Sequence, residues 1–192
     1  MPKFQRRSKM STRETYPIEI AGVRRELPLF QVKPGLRIAV LNILGDTELV
    51  QAAAAALAQK LRQVEFDVFV TAEAKSIPLA YALSVETGLP YIVLRKTYKS
   101  YMGAALIAET LSITTGEPQT LILDEKDQAL IRGKRVVLVD DVISTGSTLE
   151  GMKGIVQKAG GEVVCEAAIL TEGERERWNH VISLGHLPLF TD

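Results

Sequence analysis

Apolar positions fall into short runs separated by longer segments of helical character. The runs at Leu36–Leu44 (LRIAVLNIL), Phe66–Ala72 (FDVFVTA), Leu89–Lys96 (LPYIVLRK), Lys134–Asp141 (KRVVLVDD) and Glu162–Leu170 (EVVCEAAIL) read as strands. Several are apolar nearly throughout, as expected of strands covered by helices on both faces. Between them lie GDTELVQAAAAALAQKLRQ, KSIPLAYALSVETG and STLEGMKGIVQKAG, which read as helices. Asp46 or Thr47 caps the first, whose alanine run is strongly helix-forming. Pro78 suits the first turn of the second and Gly88 its end. Gly160-Gly161 closes the third. LSITTGEPQTLIL reads as a hairpin around Gly-Glu-Pro, and the tail HVISLGHLPLF is short and apolar.

Strand and helix alternate, which predicts an α/β fold with a parallel twisted sheet flanked by helices. The expected organisation is one domain over residues 1–192, with an α/β core over 36–170. The first 35 or so residues and the last few would form a small hood over it. Residues 1–15 read as a flexible basic arm.

The chain has 192 residues, 46% hydrophobic and 24% charged, with a formal net charge of zero. That balance argues against nucleic acid or an anionic membrane as partner. No segment is apolar enough to span a bilayer, and no apolar stretch follows the basic N-terminus as a secretory signal would need. The single cysteine, Cys165, forms no intrachain disulfide and reads as a small core residue, which suits a reducing cytoplasm.

The chemistry concentrates in VVLVDDVISTGST (Val136 to Thr148). In parallel sheets, ligands sit at the carboxyl ends of strands, where this reading places Asp140 and Asp141. Ser144, Thr145, Gly146, Ser147 and Thr148 then lead into a helix N-terminus, whose unpaired N–H groups and positive dipole suit a phosphate. The carboxylates suit hydroxyl groups or a cation. A sugar phosphate carries both parts. A Walker A loop would need lysine where Ser147 stands, and a dinucleotide fingerprint would need two further glycines.

This string closely resembles the phosphoribosyl diphosphate (PRPP) signature of the type I phosphoribosyltransferases, and the likeness extends over about Leu36 to Leu170. TAEAKSIPLA (Thr71 to Ala80) resembles the pyrophosphate loop of the adenine-type members, with Lys75 where they have arginine and Ser76 where they have glycine. RKTYK (Arg95 to Lys99) resembles a basic run that reaches pyrophosphate, partly across a dimer interface. The resemblance implies a purine phosphoribosyltransferase, adenine-like, acting in nucleobase salvage with Mg²⁺ as cofactor, and a homodimer with a hairpin lid over Ser100–Thr120. It implies that Asp140 and Asp141 hold the ribose and contact the metal carried by PRPP. Ser144 to Thr148 would bind the 5-phosphate. Glu73, Ala74, Lys75, Ser76, Arg95, Lys96 and Lys99 would bind pyrophosphate, with a cis peptide at Glu73-Ala74 or Ala74-Lys75. Val142, Ile143 and Asn42 would face the base.

The base-specific half departs from the adenine pattern. Thr114-Thr115-Gly116 aligns with the Glu-Tyr-Gly of the hairpin, and Ile38-Ala39-Val40 with an Arg-Asp pair. The same core also occurs in a purine-synthesis repressor that binds PRPP as a signal, without catalysis. A PRPP- or nucleotide-sensing protein is therefore the alternative reading, although the repressor's winged-helix domain has no counterpart before Leu36.

Overall fold

In the computed structural model, residues 13–111 and 118–191 are described. The chain runs β1 (Thr15–Ile20), β2 (Val23–Lys33), β3 (Leu36–Ala39), α1 (Thr47–Leu61), β4 (Val68–Ala72), α2 (Ile77–Thr87), β5 (Tyr91–Leu94), β6 (Leu106–Leu111), β7 (Pro118–Leu123), β8 (Arg135–Ile143), α3 (Ser147–Lys158), β9 (Glu162–Glu172), β10 (Ile182–Leu187) and β11 (Phe190–Thr191). Five strands form a parallel sheet in the order β10-β9-β8-β4-β5, with β8 at its centre.

Apolar residues on both strand faces explain the continuous runs. On β4, Phe69 packs with Val137, Val139, Leu57 of α1 and Leu79 of α2. Its neighbours Val68 and Val70 pack on the other side with Leu138, Leu149 and Met152 of α3, and Leu121 of the hairpin. This is the period-2 alternation of a strand buried on both sides. In α1 the alanines Ala53 and Ala54 are buried. Asp46 accepts the Leu49 N–H at 3.2 Å and caps the helix.

The hood is a four-stranded antiparallel sheet, β1-β2-β3-β11, so both ends of the chain build it. Arg25 of β2 grips Asp46 at 2.7 Å and ties the hood to the start of α1. β6 and β7 form the antiparallel hairpin. A bridge between Arg95 and Ile122 fastens its base to the end of β5.

Three sequence expectations are corrected. The run Leu36–Leu44 is strand only to Ala39 and lies in the hood, because β3 finds its partners in β2 and β11. The parallel sheet therefore starts at β4, and it extends past Leu170 through β10 to Leu187. The basic arm does not reach residue 15: Arg13 already lies over the Phe30 ring at 4.0 Å, and Thr15 opens β1. Residues 1–12 lie outside the described part, as does Thr114-Thr115-Gly116.

Candidate active site

The two aspartates are the sixth and seventh of the nine residues of β8, shortly before the turn into α3. Asp141 is buried and Asp140 half-buried. Burying adjacent carboxylates is costly unless donors surround them. Ser76 supplies the central one: its hydroxyl donates to Asp140 Oδ1 at 2.6 Å, with Asp141 Oδ1 at 3.1 Å as the alternative acceptor. The Asp141 N–H donates to Ser76 Oγ at 3.0 Å and to Asp140 Oδ1 at 2.9 Å. Lys75 Nζ lies 3.3 Å from Asp141 Oδ2 and 3.4 Å from the Leu41 carbonyl. Burial, followed by the neighbouring Asp141 charge, raises the Asp140 carboxyl well above its ordinary range, to about 7.

Behind the aspartates the chain turns into α3. Gly146 sits at φ 82°, the left-handed region, and no side chain caps the helix. Thr145 Oγ1 takes the Ser147 N–H only at a long 3.4 Å, so the first turn of α3 remains a site for an anion. Thr145 Oγ1 and Ser147 Oγ are 3.1 Å apart. From outside, Arg177 Nη2 donates to the Thr145 carbonyl at 2.8 Å. The Trp178 ring closes on Gly146 so tightly that a Cβ there would lie 2.8 Å from Cη2.

On the β4 side of β8, the Glu73-Ala74 peptide is cis, one of the two positions expected. Glu73 accepts from Arg95 Nε and from the Lys96 N–H, each at 2.6 Å. Burial works against the Glu73 charge, but those two partners prevail and hold the carboxyl below its ordinary range. Arg95 is thereby committed to Glu73, while Lys96 and Lys99 stand exposed.

These parts surround a cavity of about 680 Å³ between hood and core. Lys75, Asp140, Val142, Ile143 and residues 144–148 line it, facing the hood residues Val32, Ile38 and Leu189. Several expected residues are placed differently: Asp141 is buried against Ser76 and Lys75 and does not line the cavity, nor do Glu73, Ala74, Arg95, Lys96 and Lys99. Asn42 is exposed, with its Oδ1 taking the Leu44 N–H at 3.2 Å, and it does not line the cavity. The Ser76 side chain is only 2% exposed and serves the aspartates, so it offers no hydroxyl to a pyrophosphate.

Sequence reading missed Glu172. This carboxyl ends β9, lines the cavity, and accepts from Ser144 Oγ at 2.6 Å. Burial raises it above the ordinary range, against the opposing pull of Ser144 and His186. The rule that singled out Asp140 would have found it, since Glu172 also ends a buried parallel strand just before a glycine. The bracing pair Arg177 and Trp178 carried no local signal.

No group of three or more His, Cys, Asp or Glu among the described residues is arranged to hold a metal. The donor set fits a cation that arrives on a ligand's phosphate oxygens and borrows Asp140 or Asp141.

Comparison with known proteins agrees with this geometry. The phosphoribosyl transferase domain family matches residues 40–181. An adenine phosphoribosyltransferase of Thermosipho africanus is 32% identical over 146 residues, 76% of this chain and 83% of its own. A hypoxanthine/guanine phosphoribosyltransferase of Methanococcus voltae is 37% identical over 108 residues, 56% of this chain and 54% of its own. The crystal structure of adenine phosphoribosyltransferase from Thermoanaerobacter pseudethanolicus shares the fold, with a TM-score of 0.65, 22% identity, and coverage of 90% of this chain and 95% of that one.

Proposed function

We propose, from the premise that this chain belongs to the phosphoribosyltransferase family, that it transfers the 5-phosphoribosyl group of PRPP to a purine and releases pyrophosphate. The observation that carries this reading is the placement of three chemistries around one cavity: the N-terminus of α3, the Asp140 carboxyl and the Lys75 ammonium.

The 5-phosphate would sit on residues 144–148, held by backbone N–H groups and hydroxyls. The ribose hydroxyls would reach Asp140 and Asp141. As the bond from C1 to the diphosphate oxygen breaks, positive charge grows on the ribosyl ring. The carboxylates stabilise that charge electrostatically. The base nitrogen forms its bond to C1 as the bond to the diphosphate oxygen breaks, and its proton passes to the departing pyrophosphate or to solvent. Lys75 stands between diphosphate and ribose, ready to leave Asp141 for the leaving group, with Lys96 and Lys99 beyond it. Asp140 or Asp141 would hold a Mg²⁺ that arrives with PRPP, and the ion would supply charge neutralisation for the leaving group. Val142 and the hood residues Val32 and Ile38 offer apolar faces for a flat base.

Adenine is the favoured base, on the likeness to adenine phosphoribosyltransferases over most of the chain. The likeness to hypoxanthine/guanine phosphoribosyltransferases makes the oxopurines the direct comparison. A cytoplasmic salvage role follows from that chemistry. Tyr81 and Val85 on the open face of α2 and Leu44 beside it are exposed apolar residues and supply a surface for a homodimer. No helix among the described residues is long and apolar enough to cross a membrane.

The test is to mix the protein with PRPP, Mg²⁺ and each of adenine, guanine, hypoxanthine and xanthine, and to follow nucleotide and pyrophosphate. Product with one base is expected. PRPP binding without product from any base would reject catalysis in favour of a sensor.

A further inference from the structure

The strand order assigns sides to the reaction. β8 carries the ribose acids, β4 lies on one side of it and β9 on the other. The cationic loop follows β4, so the diphosphate belongs on that side. A nucleophile enters C1 opposite the departing oxygen, so the base belongs on the β9 side. There Leu189 lies against Gly173, β9 ends in Glu172, and both Leu189 and Glu172 line the cavity.

Glu172 is held for a purpose its internal contacts do not exhaust. It is 5% exposed, and Oε2 accepts from Ser144 Oγ at 2.6 Å. Oε1 has no hydrogen-bond partner among the described residues. The backbone is fixed around it. Trp178 Nε1 donates to the Glu172 carbonyl at 2.9 Å. His186 Nε2 donates to the Gly173 carbonyl at 2.9 Å, with Nδ1 2.9 Å from the Thr171 hydroxyl. Gly173 lies against Leu189, which places Glu172 at the seam of core and hood. Oε1 is not sealed from solvent, and it stays reachable from the cavity that Glu172 lines, where a bound base would be the group to pair it.

We propose that Glu172 is a specificity-determining residue, whose free oxygen accepts a hydrogen bond from an exocyclic amino group and so favours an aminopurine over a purine carrying only oxo groups. An oxo group at that place would set one acceptor against another. The inference rests on the transfer reaction proposed above for the direction of base entry.

The experiment pairs kinetics with equilibrium binding of the product nucleotides. The kcat/KM ratio of adenine to hypoxanthine is measured for the wild type and Glu172→Gln, with the KM for PRPP alongside. Calorimetry gives the affinities of both proteins for adenosine and inosine 5'-monophosphates, and thermal melting confirms folding. If Glu172→Gln melts early, Glu172→Ala with Ser144→Ala restores an apolar match and replaces it. The wild type should prefer the amino compound in both assays. The variant should lower that preference about 10- to 100-fold, the scale of one lost charge-assisted hydrogen bond. The Glu172→Gln KM for PRPP should stay within about twofold, on the same scale. An unchanged amino-to-oxo ratio would overturn the proposal, and a raised KM for PRPP with that ratio intact would reduce Glu172 to a brace for Ser144. A wild type that makes no nucleotide yet binds the adenosine form more tightly through Glu172 would reject the transfer reaction and keep this residue's role.

Discussion

The two halves of the cavity are built on different plans. The half proposed for the sugar phosphate comes from β8 and its turn into α3, one unbroken stretch of thirteen residues from Val136 to Thr148. It is dense in polar groups, and each acid is met by a neighbouring donor. The half proposed for the base is assembled from two stretches, β2–β3 and the end of β9 with Leu189, more than 100 residues apart in sequence, and its walls are mostly apolar. A phosphate and a ribose present the same groups in every reaction of this kind, so a compact local motif suffices to hold them. A base differs from its rivals by one or two edge atoms, and the shape of an assembled pocket decides among them.

The comparison breaks most sharply at the carboxylates. Asp140→Asn with Asp141→Asn is expected to cut kcat/KM by about a thousandfold, the scale of lost electrostatic stabilisation in a dry site. The protein should still fold, since the amides can keep Ser76 as a hydrogen-bond partner. Turnover near wild type would remove the ribose-holding role. Next in size is Thr145→Asp, which sets a carboxylate among the phosphate-binding groups. PRPP affinity by calorimetry should fall at least about a hundredfold. An unchanged affinity would make residues 144–148 a helix start and nothing more.

The other half should respond differently. Ile38→Ala in the hood removes apolar surface from the base wall and should raise the KM for the base about tenfold, leaving the KM for PRPP alone. A shift in the PRPP value would show that the halves are not separate. The smallest effect is on stability. The raised Asp140 carboxyl favours the folded state in its protonated form. That contribution is full below the unfolded value of 3.8 and is lost as pH rises through about 7. The melting temperature of the unliganded protein should carry this decline, and Asp140→Asn should flatten it. A wild-type profile that Asp140→Asn leaves unchanged would place the carboxyl in ordinary solvent.

Much of the first half is legible in the chain and little of the second. The position of the Asp-Asp pair at the end of a strand, the Gly146 turn and the start of α3 follow from contiguous residues. Leu36–Leu44 misleads because its apolar run suits a core strand as well as a hood strand, and pairing with β2 and β11 settles the matter. Ser76 reads as part of a pyrophosphate loop because it follows Lys75, yet its hydroxyl turns to aspartates more than 60 residues away. Asn42 reads as a base contact, yet bonding its own turn is nearer and needs no ligand.

Sequence alone determined the alternation of strands and helices, the parallel core and the Gly146 turn into α3, because periodicity, capping and glycine conformation act over a few residues. The tertiary structure decided which strands leave the core for the hood, which donor neutralises the aspartate pair, and that Glu172 lies beside Ser144. Those outcomes depend on which distant surfaces meet when apolar faces are buried together, and no local window of the chain contains both partners.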